Sequence, residues 1–175
     1  SIMGSGGMIV MDDTDCMVDV AKYYLEFTVE ESCGKCAPCR VGGRKLHDIL
    51  VRITNGNGKM EDLEKMEEIG VAMSRASLCG LGQTAPNPIL STMRYFKSEY
   101  RAHIEDDACP AGVCKDLISF HILPDNCIGC GLCARRCPVS CISGEKRQPH
   151  EIDQARCIKC GECYSVCKFD AVARS

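Results

Sequence analysis

The chain has 175 residues, a formal net charge of −3, 16 cysteines, no tryptophan and only 5% aromatic residues. This balance argues against a nucleic-acid partner, because binding nucleic acid needs a basic face and aromatic stacking surfaces. No apolar run approaches the ~18 residues of a membrane span, so no membrane partner is expected.

The cysteines cluster in C-x-x-C steps, which favours metal ligation over disulfide bridges. No secretory signal is visible at the N-terminus, so a reducing, cytoplasmic location is expected.

The first thirty residues predict the end of a larger domain and a connecting helix. Residues 1–12 contain a glycine-rich turn that leads into the apolar, strand-like run 8–11. A dozen residues cannot bury such a strand alone, so we interpret the run as the tail of a domain lying upstream. Over 13–29, apolar residues recur every three or four positions and predict an amphipathic helix.

Three further amphipathic helices are predicted, over 41–53, 60–76 and 89–103. A strong breaker, Asn55-Gly-Asn-Gly58, separates the first two of them. Four amphipathic helices with short connections predict a helical bundle, with its domain at 31–104. Residues 105–124 are interpreted as a linker.

The bundle region carries a three-cysteine motif, Cys33-Gly-Lys-Cys-Ala-Pro-Cys39. Three closely spaced thiolates occupy three corners of a cubane, and the next cysteine along the chain is Cys79, in a loop between helices. The spacing therefore predicts one [4Fe–4S] cluster, with the ligands Cys33, Cys36, Cys39 and Cys79. A tetrahedral zinc site is the alternative, although zinc hairpins usually supply their ligands in pairs.

Residues 125–175 contain an internal repeat, in which C-x2-C-x2-C-x3-C occurs at 127–137 and again at 157–167. In bacterial two-cluster ferredoxins the fourth cysteine of each copy ligates the cluster of the other copy. The first predicted cluster is held by Cys127, Cys130, Cys133 and Cys167. The second is held by Cys137, Cys157, Cys160 and Cys163. The predicted fold is thus mostly α plus a small α+β domain: a four-helix bundle with one [4Fe–4S] cluster, then a bacterial-type 2[4Fe–4S] ferredoxin domain.

The run Glu31-Ser-Cys-Gly-Lys-Cys-Ala-Pro-Cys-Arg40, followed by Ser77-Leu-Cys-Gly-Leu-Gly82, closely resembles the C-terminal part of the NADH-binding flavoprotein subunit of respiratory complex I. The resemblance covers roughly residues 1–103. With the added ferredoxin domain, the chain is similar to the beta subunit of NAD(P)-linked, electron-bifurcating [FeFe]-hydrogenases, or to the related subunit of NAD-dependent formate dehydrogenases. The resemblance implies a bundle cluster that takes electrons from FMN, with the FMN and NAD(P) sites upstream of residue 1.

Four cysteines are extra to these sets, and three of them suggest a zinc site. Cys109, Cys114 and His121 form C-x4-C-x6-H, and Cys141 completes a Cys3His set of the kind found in closed structural zinc sites. The family resemblance implies such a zinc between the two cluster domains. The alternatives are buried thiols with a surface histidine, or a disulfide between Cys109 and Cys114.

The remaining cysteine and histidines are given structural interpretations. Cys16, alone early in a predicted helix, is interpreted as a small packed hydrophobe. His47, His103 and His150 have no ligand-like neighbours in the sequence and are expected at the surface.

These features together predict an electron-transfer relay with three [4Fe–4S] clusters and one Zn²⁺. The expected partners are other subunits of a multi-subunit oxidoreductase and soluble ferredoxin. The chain itself is expected to be a non-catalytic fragment of an oxidoreductase subunit. The alternatives are the same relay in a formate dehydrogenase, and a zinc-stabilised structural or nucleic-acid-binding module.

Overall fold

The computed structural model describes residues 6–174 of the chain, which divide into two compact units. The first unit ends at Leu117 and the second begins at Ile118, so the division falls inside the predicted linker. Residues 1–5, which include part of the predicted glycine-rich turn, lie outside the described residues. The first unit is helical and the second contains two small sheets, which confirms the prediction of a mostly helical chain with little strand.

Six α-helices lie in the described part of the first unit. They are α1 Met17–Glu30, α2 Gly43–Thr54, α3 Met60–Ala76, α4 Gly80–Thr84, α5 Asn87–Tyr95 and α6 Lys97–Glu105. A π-helical turn, Pro38–Gly42, leads directly into α2. Helix α1 packs on α2 and α5, and α3 packs on the same two helices. Leu25, Leu46 and Met66 lie fully buried in this unit, as the apolar periodicity predicts.

The predicted helix 89–103 is divided into α5 and α6 by Phe96, whose backbone leaves the helical region (φ −123°, ψ 35°). Across the break, the hydroxyl groups of Thr92 and Tyr100 lie 2.8 Å apart and form a hydrogen bond. The break leaves Tyr100 and His103 on the buried face of α6. This difference from the prediction matters, because it decides what surrounds His103.

The strand-like run 8–11 forms no strand in the described part of the chain. Its side chains are exposed, with Met8 and Val10 more than four-fifths accessible. An isolated strand leaves its backbone polar groups without ladder partners, and neither sheet of the described residues supplies a partner.

The second unit is built from two short helices and two antiparallel strand pairs. In chain order its elements are β1 Phe120–Ile122, α7 Leu132–Arg136, β2 Ile142–Ser143, β3 Glu151–Ile152, α8 Glu162–Val166 and β4 Val172–Arg174. Strand β1 pairs with β4, with His121 opposite Ala173, and β2 pairs with β3, with Ile142 opposite Ile152. The two helices pack together, so the sequence repeat appears as a repeated structural element. Among the described residues, the helices are all too short or too polar to cross a membrane.

The first turn of α3 is closed by a buried carboxylate. Asp62 accepts a hydrogen bond from the backbone N–H of Lys59 (2.9 Å) and forms an ion pair with Arg52 (2.6 Å). We expect Asp62→Ala to lower the free energy of unfolding of the first unit by about 2 kcal/mol, because two donors lose a buried acceptor. Chemical denaturation measures this loss. The matched control is Glu61→Ala, whose exposed carboxylate pairs with Lys65, and an equal effect of the two changes would contradict the assignment.

Candidate metal and iron–sulfur sites

Four buried side chains of the first unit converge on one point. The ligand atoms of Cys16, His103, Cys109 and Cys114 all lie within 4.8 Å of one another. Cys16 Sγ is 3.3 Å from His103 Nε2 and 3.8 Å from Cys114 Sγ, and His103 Nε2 is 3.4 Å from Cys114 Sγ. We call these four residues the Cys3His group.

Three separate segments supply the Cys3His group. Cys16 immediately precedes α1, His103 lies in the last turns of α6, and the other two cysteines lie in the loop that follows α6. That loop turns back on itself through a hydrogen bond from Gly112 N–H to the carbonyl of Cys109 (2.8 Å). The fold of the first unit thus joins the start of its first helix to the loop after its last helix.

The hydrogen bonds of His103 determine which of its ring nitrogens is free to bind a metal. Nδ1 lies 2.8 Å from the carbonyl oxygen of Glu99, which can only accept, so Nδ1 carries the hydrogen. Nε2 therefore faces the three sulfurs, and a bound metal ion would take its lone pair in place of a proton. A backbone carbonyl that fixes the tautomer in this way is the usual support for a metal-binding histidine.

The Cys3His group favours negative charge on one of its sulfurs, that of Cys109. The hydrogen bond between Cys114 and Cys109 lowers the pKa of Cys109 and raises the pKa of Cys114. Burial lowers the pKa of His103, but the hydrogen bonds to Cys109 and Cys16 outweigh this and raise it to about 10. A thiolate held in a buried pocket is the form that binds metal ions.

The geometry of the Cys3His group fits tetrahedral zinc. Zn–S bonds of about 2.3 Å in a tetrahedron place two sulfurs about 3.8 Å apart, and Cys16 and Cys114 are separated by 3.8 Å. Four protein ligands leave no open position, so the donor set fits a structural ion and not a catalytic one.

The predicted zinc set is corrected by this geometry. Cys109 and Cys114 belong to the Cys3His group. The other two members of the group are Cys16 and His103, instead of His121 and Cys141. His121 lies on the exposed face of β1 because alternate residues of a strand point to opposite sides, and it contacts Ser119 (2.7 Å). The Cys141 sulfur lies 3.5 Å from that of Cys137.

The segment that carries Cys79 lies close to the three-cysteine motif. The backbone N–H groups of Leu78 and Cys39 lower the pKa of Cys36, so the segment that carries Cys79 faces the three-cysteine motif. Gly82 packs so closely that a Cβ atom would lie 3.0 Å from Cys39 Cβ. The buried hydroxyl of Ser77 adds a smaller contribution to the lowered pKa of Cys36, after these backbone N–H groups.

These contacts are compatible with a cubane, in which each cysteine sulfur binds a separate corner.

Each cavity of the second unit is lined by cysteines of both repeats. The first cavity is bordered by Cys127, Cys130, Cys133 and Cys167. The second is bordered by Cys137, Cys157, Cys160 and Cys163, with Cys141 as a fifth thiol. The predicted crossed sets are thus brought together in space.

Backbone geometry supports both cavities. Gly131 and Gly161 adopt φ of 69° and 76°, a left-handed conformation that favours glycine, and each precedes a short helix carrying a ligand cysteine. Backbone N–H groups also point at sulfur, as Lys159 N does toward Cys157 Sγ at 3.4 Å. Burial in the second cavity raises the pKa of Cys163 to about 11.

Two histidines expected at the surface are buried, and Cys16 is buried as a packed residue should be. Cys16 and His103 are almost fully buried in the Cys3His group, and His150 is buried beside the first ferredoxin cavity. The sequence does contain a signal for His103, which lies six residues before Cys109. A candidate histidine ligand therefore lies upstream of the C-x4-C motif as well as downstream of it. Cys16 carried no comparable signal, because 87 residues separate it from His103.

All sixteen cysteines are free thiols in the structure.

Residues 19–103 match the family described as the NADH-ubiquinone oxidoreductase-F iron-sulfur binding region, and residues 126–171 match the 4Fe-4S dicluster domain. The two matches lie on either side of the division between the two units, and neither crosses it.

Relatives share both regions or the first alone. The NADP-reducing hydrogenase subunit HndC of Solidesulfovibrio fructosivorans is 58% identical over 174 residues, which cover 99% of this chain and 36% of that protein. An NADH-quinone oxidoreductase subunit of Mycobacterium bovis is 38% identical over 110 residues, or 63% of this chain and 25% of that protein. The chain thus spans about a third or less of these curated relatives.

A solved structure also matches part of the chain. In the crystal structure of an NAD⁺-reducing [NiFe]-hydrogenase in the H2-reduced state, one chain aligns with a TM-score of 0.53 and 33% identity. The alignment covers 54% of this chain and 17% of that one. The chain therefore contains an NADH-ubiquinone oxidoreductase-F iron–sulfur binding region followed by a 4Fe–4S dicluster domain, and it is homologous over nearly its whole length to a hydrogenase subunit.

Proposed function

We propose that this chain is the iron–sulfur end of a flavin-dependent, NAD(P)-linked, electron-bifurcating hydrogenase subunit, and that it relays electrons through three [4Fe–4S] clusters. The observation that carries the proposal is the crossed lining of the two ferredoxin cavities, each with three cysteines of one repeat and one of the other. This is the arrangement that a two-cluster ferredoxin requires.

The third cluster is assigned to a four-helix bundle in the first unit, with Cys33, Cys36, Cys39 and Cys79 as ligands. The close packing of Gly82 on Cys39 and the N–H groups that face Cys36 support this set. In the complete subunit, FMN and NAD(P) belong to the region upstream of this chain, and the bundle cluster receives electrons from the flavin.

The proposed zinc site is the Cys3His group, in place of the set predicted from the sequence. Its role is structural, because its four ligands close the coordination sphere. Zinc there would tie the start of α1 to α6 and to the loop that follows it.

The chain conducts electrons and performs no bond chemistry in this proposal. Hydride exchange with the nicotinamide belongs to the upstream flavin region, and hydrogen chemistry belongs to another subunit. Soluble ferredoxin is the expected exchange partner of the two-cluster domain. Hydrogen is favoured over formate as the substrate of the assembly because the alignment to the hydrogenase subunit covers almost the whole chain.

The relay order is tested by removing the bundle cluster. In the complete flavin-bearing subunit, we expect Cys79→Ala to abolish reduction of the ferredoxin clusters by NAD(P)H, while a chemical reductant still reduces them. Freeze-quench electron paramagnetic resonance (EPR) follows both reactions. The control is Leu78→Ala, a change at an exposed neighbouring residue. In this variant, NAD(P)H should reduce the ferredoxin clusters normally. Unchanged NAD(P)H-dependent reduction in Cys79→Ala would show that the bundle cluster is not on the path.

A further inference from the structure

The second ferredoxin cavity contains one thiol more than a cubane needs. Cys141 lines this cavity together with the four proposed ligands, and its side chain is only 4% exposed. Its sulfur lies 3.5 Å from the sulfur of Cys137, and its backbone N–H donates to the same sulfur at 3.4 Å. Five thiols therefore surround a site that four can fill.

The internal repeat shows that the fifth thiol is not required to build the site. Cys141 follows Cys137 by four residues, and Ala171 follows Cys167 by the same interval. Ala171 lines the first cavity and is as buried as Cys141. The first cavity thus has four thiols and an alanine methyl where the second has five.

The two turns that present these side chains have the same backbone geometry. Ser140 and Asp170, the residues just before them, adopt φ of 49° and 48°. Each turn is anchored by its carbonyl: Cys141 O accepts from Asp153 N–H (2.8 Å), and Ala171 O accepts from Leu123 N–H (2.7 Å). At this position the two cavities therefore differ in one side chain, a thiol in the second where the first has a methyl group.

We propose that Cys141 is a resident fifth thiol of the second ferredoxin cluster, a hydrogen-bond donor to Cys137 and its replacement as the fourth ligand. This inference rests on the proposed cluster assignment. A ligating Cys137 is a thiolate and can only accept, so the S–H of Cys141 is the donor. If Cys141 took the place of Cys137, its sulfur would bind the iron that Cys137 released and its proton would pass to the Cys137 thiolate, so the exchange would need no oxidant or reductant.

The hydrogen bond from Cys141 to Cys137 should raise the reduction potential of the second cluster. Hydrogen bonds to cluster sulfurs stabilise the added electron and so raise the reduction potential. Cys141→Ala, which reproduces the alanine of the first site, should lower the potential of the second cluster and leave the first unchanged. EPR-monitored redox titration of the anaerobic protein measures both potentials.

The replacement of Cys137 by Cys141 is tested with variants at the equivalent positions of the two repeats. Cys137→Ala should keep its full iron content, with an altered EPR signal from the second cluster, whereas Cys137→Ala combined with Cys141→Ala should lose one cluster. Cys167→Ala should lose the first cluster outright, and adding Ala171→Cys should restore it. Loss of a cluster in Cys137→Ala alone would overturn the replacement, and an unchanged second potential in Cys141→Ala would overturn the hydrogen bond.

Failure of the inference is distinct from failure of the proposed function. If the cluster assignment is wrong, the unmodified protein lacks the two ferredoxin signals. If only the inference is wrong, the unmodified protein has both signals and the variants depart from the pattern above. The Cys141→Ala titration does not depend on the stability of any variant that lacks a proposed ligand.

Discussion

Cys16→Ser should release zinc from the protein while leaving the iron in place. The serine hydroxyl is a poor zinc ligand at neutral pH, and structural zinc contributes on the order of 10 kcal/mol to folding. We therefore expect the variant to bind less than about a tenth of the zinc of the unmodified protein after dialysis against a chelator. The thermal midpoint of the first unit should fall as well. Elemental analysis and calorimetry measure the two effects.

The controls for this variant come from the set that the sequence predicts. His121→Ala and Cys141→Ala should both retain zinc, because neither side chain belongs to the Cys3His group. Release of zinc from His121→Ala, with retention in Cys16→Ser, would restore the sequence-based set and refute the structural one.

Cys167→Ala should remove the cluster whose other three ligands come from the first copy of the repeat. Cys167 borders the first cavity with Cys127, Cys130 and Cys133. A cubane with a missing corner ligand is unstable, and the alanine at 171 offers no substitute. We expect about four of about twelve iron atoms to be lost, with the EPR signal of the first cluster.

Cys163, which lies four residues before Cys167, provides the matched comparison. Cys163→Ala should remove the second cluster and spare the first, although both cysteines lie in the same repeat. If Cys167→Ala instead eliminated the signal of the second cluster, each copy would hold its own cluster and the crossed assignment would be wrong.

Local patterns in the sequence predicted much of the fold. Helix α3 begins and ends at the predicted residues, because its apolar stripe is regular and breakers lie on both sides. The crossed cysteine sets follow from the spacing of two copies of one motif, and the structure brings each set to one cavity. Such features depend on residues that are close in sequence or related by a repeat.

The Cys3His group could not be predicted in the same way. Cys16 and Cys114 are 98 residues apart, and neither lies in a motif that includes the other. Their meeting depends on how α1 packs relative to α6, which the helical periodicity does not determine. The break at Phe96 further changes which residues α6 buries, and no proline or glycine marks that break.

The run 8–11 depends on residues outside its own segment as well. Its apolar, β-branched composition favours a strand, but strand formation requires a neighbouring strand to satisfy the backbone. The described residues provide none, and the run is exposed.

The central claim is tested most directly by the iron, sulfide and zinc content of anaerobically prepared protein. Three cubanes and one structural ion predict about twelve iron, about twelve acid-labile sulfide and about one zinc per chain. A count of about eight iron and about eight sulfide would remove the bundle cluster from the relay. Zinc in place of iron at the cysteine sites would contradict the electron-transfer function altogether.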